Sequence, residues 1–298
     1  MHKPKKSGRI IYLVIGFLLG GILFFGLNNS LRNKLVQTVM GYTRPDSTCI
    51  LVVGQDSVKP LRSDTIILFC LNVNSEEILL FSVPRDTRID VPNNGIDKVN
   101  HSYAKGGIRL LKDTLEKSLD ITIPFTIETD YQGFEKVIDA LGGVEITVEK
   151  EMKYTDQAQD LVINIATGKQ RFNGKKALQY VRFRNDKLGD IGRIKRQQNF
   201  IQAIFQEIEN PLNLLKMPQI IQELRQTLVT NFTSEELVNL GLWFKDLEKK
   251  VMMAEMMPGE PTYIKGVSYW EPDLETSKKY LHEFFLREKK INEQPAEP

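Results

Sequence analysis

Thr65-Ile-Ile-Leu-Phe-Cys-Leu71 is apolar at every position after its first, on both of the faces that an extended chain presents in alternation. Such a run fits a strand covered on two sides, as happens when helices lie on both faces of a sheet. The apolar runs Cys49–Gly54 and Ile78–Val83 read as its neighbours. Farther along, Gly106–Leu119 reads as a helix, Phe125–Glu128 as a short strand and Tyr131–Leu141 as a second helix. Gly142-Gly143 closes that helix with the residue type that tolerates left-handed backbone, and Val144–Val148 returns as a strand. Leu161–Ile165 is a further strand and Asn173–Val181 a helix. Strands interleaved with helices predict an α/β fold, an α-β-α sandwich with a mixed central sheet.

The rest of the chain sets limits. A net charge of +2 over 298 residues provides no global field for nucleic acid. Two cysteines exclude a disulfide-built scaffold. Cys49 and Cys70 read as two buried apolar residues rather than a bonded pair, although adjacent strands could bring them together. Ile10–Leu27 carries no charge or amide and follows Lys3, Lys5, Lys6 and Arg9. As a helix it would span about 27 Å, enough for a bilayer core, with the basic residues held in the cytoplasm. Phe24-Phe25-Gly26-Leu27-Asn28 offers no small-x-small cleavage pattern, so an uncleaved N-terminal transmembrane anchor is expected. The predicted organisation is a basic tip and anchor (1–27), a linker (28–47), a catalytic domain (48–210), a helical and strand extension packed on it (211–288) and a disordered tail (289–298). The bulk of the chain would lie outside the cytoplasmic membrane.

The chemistry concentrates in Tyr180-Val-Arg-Phe-Arg184, Gly189-Asp-Ile-Gly-Arg193 and Arg196-Gln-Gln198. Guanidinium groups are planar forks that match phosphate oxygens. Arg182 and Arg184 are two apart, so an extended exit from the preceding helix would point both to one side, whereas a helix would spread them by about 200°. In the next helix Ile194, Ile201, Ile204, Phe205 and Ile208 form an apolar stripe. Arg193 and Gln197 border that stripe and Arg196 lies farther round. Gly54-Gln-Asp56 leaves the first strand, Arg62-Ser-Asp-Thr65 enters the second and Val83-Pro-Arg-Asp86 leaves the third. With antiparallel neighbours, Asp56 and Asp64 would fall close together as hard oxygen ligands for Mg²⁺. Singly, Asp56 reads as a turn former and Arg62 and Arg85 as solvated charges; the joint occurrence carries the signal.

Arg62-Ser-Asp-Thr65, Val83-Pro-Arg-Asp-Thr87, Asn100-His-Ser-Tyr103 with Gly106-Gly107, and Tyr180–Gln198 together resemble the LytR–CpsA–Psr family over roughly residues 46–208. The part after about Pro211 contributes little to the likeness. The resemblance implies transfer of a phosphoglycosyl polymer from a polyprenyl-pyrophosphate carrier to a cell-envelope acceptor such as peptidoglycan, in an α/β sandwich with a long apolar lipid pocket. It implies Mg²⁺, with Mn²⁺ as a substitute, held by Asp56 and Asp64. It implies pyrophosphate contacts from Arg62, Arg85, Arg182 and Arg184, and a following motif of Asp190, Arg193, Arg196 and Gln197, with Asp190 activating or positioning the acceptor. Asn185-Asp-Lys187 departs from the acid-rich linker of relatives.

Little covalent machinery is needed for such a transfer, because positioning and charge neutralisation dominate phosphoryl chemistry. No Walker P-loop occurs, and His2, His101 and His282 are too scattered for a zinc site or serine triad. His101 reads as structural or as a rim contact. The lipid cavity is expected between the sheet and two helices bearing Leu110, Leu111, Leu115, Phe134, Val137, Ile138 and Leu141. Two other functions stay open at this point. A non-catalytic lipid-binding scaffold would keep the cavity without needing paired acids. A transcriptional regulator would need a cytoplasmic domain and a bare basic face.

Overall fold

The Thr65–Leu71 run lies within β2 (Ser63–Asn72), in the middle of a six-stranded sheet. The structure, a computed structural model, describes residues 47–55, 63–157, 161–184, 189–208, 227–233, 235–237, 239–240, 243 and 251–288, with Gly189, Asp190 and Ile208 described by backbone alone. All belong to the unit Asp46–Pro298. The expected anchor, linker and tail lie outside the described residues, as do Asp56 and Arg62. Among the described residues no helix is long and apolar enough to cross a membrane.

β1 (Thr48–Gln55) pairs antiparallel with β2, and β2 antiparallel with β3 (Glu77–Ser82). β6 (Phe125–Thr129) joins β1 in parallel, and the short β11 (Val229–Thr230) closes that edge antiparallel. At the opposite edge β12 (Val251–Met256), from the C-terminal part of the chain, pairs parallel with β3. The sheet is therefore mixed, in the order β11-β6-β1-β2-β3-β12. β1, β3, β6 and β12 share one direction, so their carboxyl ends form one rim, and the start of antiparallel β2 joins it.

Between these strands lie a hairpin of β4 (Arg88–Val91) and β5 (Gly95–Lys98), then α1 (Val99–Leu119). The helix begins seven residues earlier than the sequence suggests. Gly106 and Gly107 have non-helical backbone, and this kink interrupts the local pattern. α2 (Tyr131–Ala140) follows β6. β7 (Val144–Val148) pairs with β10 (Gly168–Phe172), and β8 (Met152–Asp156) pairs with β9 (Leu161–Ile165). Gly142 and Gly143, at φ 78° and 87°, make the turn from α2 into β7. α3 (Gly174–Arg182) and α4 (Gly189–Ile208) carry the arginine motifs. After β12 come a hairpin of β13 (Gly259–Ile264) and β14 (Val267–Pro272) and then α5 (Leu274–Leu286).

Two cores result. Alternate residues of β1 and β2 (Cys49, Leu51, Val53, Ile66, Leu68, Cys70) join Leu79 and Phe81 of β3 against Leu111, Leu115 and Leu119 of α1 and Leu281 and Phe284 of α5. The second core gathers Ile138, Val144, Ile146, Ile163, Phe172, Tyr180, Phe183 and Phe200 from α2, the two small two-stranded sheets, α3 and α4. α4 spans to the sheet's other face, where Phe205 stacks on Phe69 with ring centroids 5.4 Å apart. Arg171 fixes this second core by a two-pronged bond to Glu207, at 3.0 and 2.9 Å.

The cysteines differ from expectation. Cys49 and Cys70 are register partners on β1 and β2, fully buried and joined by a disulfide. Their spacing in sequence carried no sign of this, because only the antiparallel register sets them face to face.

Candidate active site

The second face of the central strands is not completely filled. Val52 and Gly54 of β1 and Thr65 and Ile67 of β2 floor a cavity of about 230 Å³. Its walls are Tyr131 and Phe134 of α2, Leu178 and Val181 of α3, Phe200, Ile201 and Ile204 of α4, and Tyr154 and Leu161 of the β8–β9 hairpin. The interior is apolar. Polar groups enter from the rim: Gln55, Asp64, Thr129, Asp130, Asp156, Arg182, Arg184, Arg193 and Gln197. This corrects the expected location. α1, with Leu111 and Leu115 fully buried, packs on the opposite face, and of the two helices proposed to enclose the cavity only α2 does so, through Phe134. Ile138 and Leu141 belong to the second core.

Backbone geometry at the end of α3 produces the expected clamp. Arg182 is the last helical residue, and Phe183 is extended at φ −61°, ψ 129°. Phe183 is buried in the second core while Arg182 and Arg184 both line the cavity. The Arg182 guanidinium lies 4.3 Å from the Tyr131 ring centroid, which fixes its plane by cation–π attraction. In α4, Arg193 and Gln197 line the cavity, and Gln197 donates to Thr65 Oγ1 at 3.0 Å. Gly54 stands opposite Thr65, and a β-carbon there would come within 3.1 Å of that threonine's Cβ. A small residue thus keeps room where the site meets the sheet.

Arg196 departs from the set of substrate contacts. It is buried, its Nη2 donates to the Phe183 carbonyl, and its guanidinium lies 5.1 Å from the Phe183 ring. Its position 300° round the helix from Arg193 turns it behind the clamp, where it holds the Phe183 turn that separates Arg182 from Arg184. Asp190 lies in the first turn of α4, and its side chain is outside the described part.

Arg85, just beyond β3, does not line the cavity but reaches Asp64 at the start of β2, Nη1 to Oδ1 at 2.5 Å. Both are about one-quarter exposed. Behind them Asp86 accepts from Lys98 Nζ at 2.8 Å, and Arg85 Nε lies 3.7 Å from Asp86. Lys98, Tyr131 and Asp130 are site residues that the sequence reading missed. Lys98 ends a four-residue strand with no apolar pattern, and Tyr131 looked like an ordinary helix start. Asp130 caps α2 by accepting from Gly133 N at 2.7 Å, so its capping role was the readable one.

Under the rim, Glu128 is buried and accepts from Tyr103 Oη at 2.7 Å and Gln55 Nε2 at 3.3 Å. Burial first, and then the Glu128 carboxylate beside it, push the Tyr103 hydroxyl above its ordinary range. This explains why Asn100-His-Ser-Tyr103 accompanies the site: Tyr103 secures the β6 end of the rim. His101 does not line the cavity, and its Nδ1 lies 2.7 Å from Asp97 Oδ1. Among the described residues no three His, Cys, Asp or Glu side chains cluster as a metal site.

The LytR_cpsA_psr family profile matches residues 27–284. The chain belongs to the LytR_cpsA_psr family. It is 35% identical over 218 residues to the regulatory protein MsrR of Staphylococcus aureus, covering 72% of this chain and 65% of that protein, so the chain spans just under two thirds of that relative's length. It is 30% identical over 291 residues to the polyisoprenyl-teichoic acid–peptidoglycan teichoic acid transferase TagU of Bacillus subtilis, covering 91% and 93% of the two chains. Among solved structures, the YwtF (TagT) protein of Bacillus subtilis with bound octaprenyl pyrophosphate superposes at a TM-score of 0.60 with 25% identity, covering 80% of this chain and 90% of that one. The family shares the mixed α/β architecture described above.

Proposed function

We propose that this family member is a membrane-anchored extracytoplasmic transferase that moves a phosphoglycosyl polymer from a polyprenyl-pyrophosphate carrier to a hydroxyl of a cell-envelope acceptor such as peptidoglycan. The observation that carries this reading is one cavity with an apolar interior and an arginine-lined mouth. A polyprenyl tail is an apolar chain ending in a pyrophosphate, and the cavity has the same division. The acceptor oxygen attacks the phosphorus attached to the glycan, and the bond from that phosphorus to the bridging oxygen breaks. Polyprenyl phosphate leaves, and the acceptor's proton passes to solvent or a carboxylate. Arg182, Arg184 and Arg193 would neutralise charge on the transferring and leaving oxygens. Arg85 would orient Asp64 and add a fourth cation, and Arg62 is assigned beside them from the motif.

Mg²⁺, or Mn²⁺ in its place, suits the donor set. Magnesium takes oxygen ligands, one or two carboxylates with phosphate oxygens and waters completing its shell. Arg85 engages Oδ1 of Asp64, and a carboxylate retains further capacity for a cation. Asp64 and Asp56 would hold the ion, which would supply charge neutralisation on the pyrophosphate. Pyrophosphate hydrolysis is the expected side reaction when water replaces the acceptor.

The disulfide supports an extracytoplasmic domain, because such bonds persist in oxidising compartments and are rare in the cytosol. The Ile10–Leu27 run supplies the anchor for that topology. The name of TagU and the lipid in YwtF (TagT) favour the same substrate class. The decisive measurement uses the full-length chain in detergent with a polyprenyl-pyrophosphate-linked glycan and purified peptidoglycan. Release of polyprenyl monophosphate coupled to glycan attachment is expected. Retained lipid with no divalent-cation-dependent product would instead make the protein a lipid-binding scaffold.

A further inference from the structure

The rim has two ends. The lipid cavity opens beside β6, β1 and β2, while β12 at the other end leads through Met257 into the β13–β14 hairpin. That hairpin is fastened to the segment bearing Arg85. Trp270 N donates to the Asp86 carbonyl at 3.0 Å, Thr87 bridges to Trp270, and Arg88 reaches Glu271 at 3.2 Å. Trp270 Nε1 donates to the Met257 carbonyl at 3.2 Å, a contact that Gly259 permits, since a β-carbon there would lie 2.6 Å from the indole nitrogen. The hairpin is thus placed by main-chain bonds together with the Trp270 indole and the Arg88–Glu271 pair.

A continuous path of contacts runs from it to the cavity. Lys98 Nζ lies 5.3 Å from the Tyr269 ring centroid and donates to Asp86; Arg85 lies beside Asp86 and binds Asp64, which lines the cavity. Strand alternation and register put Tyr269, Val267 and Glu271 on one hairpin face with their partners Thr262, Ile264 and Glu260. Ile264 is 37% and Val267 44% exposed, and Tyr269 is half-buried.

We propose that this face of the β13–β14 hairpin is the acceptor subsite, and that its occupant is a polysaccharide whose free hydroxyl is delivered to Arg85 and Asp86. The assignment rests on the transferase reading above. A transferase must admit two substrates to one phosphate; the cavity end of the rim suits the lipid, and the hairpin reaches the same rim through Asp86, the neighbour of Arg85, and through Lys98. The mixture of groups selects the occupant. An aromatic ring and two aliphatic side chains fit the apolar faces of sugar rings, and the exposed carboxylate of Glu260 accepts hydrogen bonds from sugar hydroxyls, while Glu271 is held by Arg88.

The test measures transfer by the full-length chain in detergent from a polyprenyl-pyrophosphate-linked glycan to purified uncross-linked peptidoglycan glycan strands, with octaprenyl pyrophosphate as the separate probe of donor binding. Tyr269→Ala is expected to raise the acceptor KM at least tenfold while kcat at saturating acceptor, octaprenyl-pyrophosphate affinity and the melting temperature hold; Tyr269→Phe keeps the acceptor KM within about twofold. Val267→Arg, at an exposed position, provides the same block should Tyr269→Ala unfold the hairpin. An unchanged acceptor KM in both variants overturns the proposal, as does a loss confined to donor affinity or kcat. Weaker binding to phosphatidylglycerol vesicles with acceptor KM intact assigns the face to lipid and also overturns it. Calorimetric binding of glycan strands without donor separates this subsite from the transferase reading. Strands that bind the wild type and not Val267→Arg support the subsite even where no transfer occurs, and a wild type that neither binds nor transfers overturns both.

Discussion

The two faces of the central sheet use the same strands differently. Toward α1 and α5, Leu51, Val53, Leu68, Leu79 and Phe81 are fully or almost fully buried, and the Cys49–Cys70 bond lies among them. Toward α4, Val52, Gly54 and Ile67 face a space that protein does not fill. The first face is a core because α1 and α5 lie directly on it. The second stays open because α2, α3 and the β7–β10 strands form a separate core, which holds its own helices away from the strands. A cavity is stable in a close-packed protein when the walls are anchored elsewhere, and Arg171–Glu207 and the Phe172, Tyr180 and Phe200 cluster supply that anchor.

The contrast yields measurable differences. On the filled face, Phe81→Ala removes a fully buried ring and should cost about 3–5 kcal/mol in urea unfolding. A cost below about 1 kcal/mol would mean that this face is not a packed core. On the open face, Arg182→Ala should lower transfer about 10²–10³-fold, the range for losing one charge stabiliser, with the unfolding midpoint retained. Asp64→Ala should behave alike, and full activity in either variant removes the catalytic assignment. Ile204→Trp puts bulk into space that has no protein partner. It should weaken octaprenyl-pyrophosphate binding at least tenfold, by equilibrium titration, while unfolding free energy changes by less than about 1.5 kcal/mol.

The smallest effect concerns acid stability at the β4–β5 hairpin. Asp97 is held below its ordinary range: burial acts to raise it, and the bonds from Lys105, the Lys98 backbone N–H and His101 together outweigh that. A depressed carboxylate contributes stability that is fully present above its unfolded value, about 3.9, and is lost as pH falls through the folded value. Asp97→Asn should therefore flatten the stability–pH curve below about pH 4 and leave its slope near neutrality unchanged. A steeper acid slope in the variant would contradict the shift.

Much of the site was legible because its signals are local. Arg182 and Arg184 two residues apart need only a helix that ends between them, and the break at Phe183 is a property of that short stretch. Arg193 and Gln197 border an apolar stripe that helical spacing reveals directly, and the same spacing set Arg196 apart, although its place behind Phe183 was not foreseen. The location of the cavity was misread because α1 and α2 both have apolar faces. Nothing in an amphipathic pattern says which side of a sheet a helix will cover. Asp56, Arg62 and the N-terminal anchor rest on sequence alone.

Residue order was thus enough for the layered α/β class and the arginine clamp, since strand and helix periods and sharp turns are read within a few neighbouring residues. The disulfide, the hollow face and the return of the C-terminal part to the site came from folding. Gln197 meets Thr65 across 132 positions, and Arg88 meets Glu271 across 183. Contacts at such separations leave no local period. They exist because β12 completes the sheet beside β3, and that pairing carries the β13–β14 hairpin to the Arg85 segment.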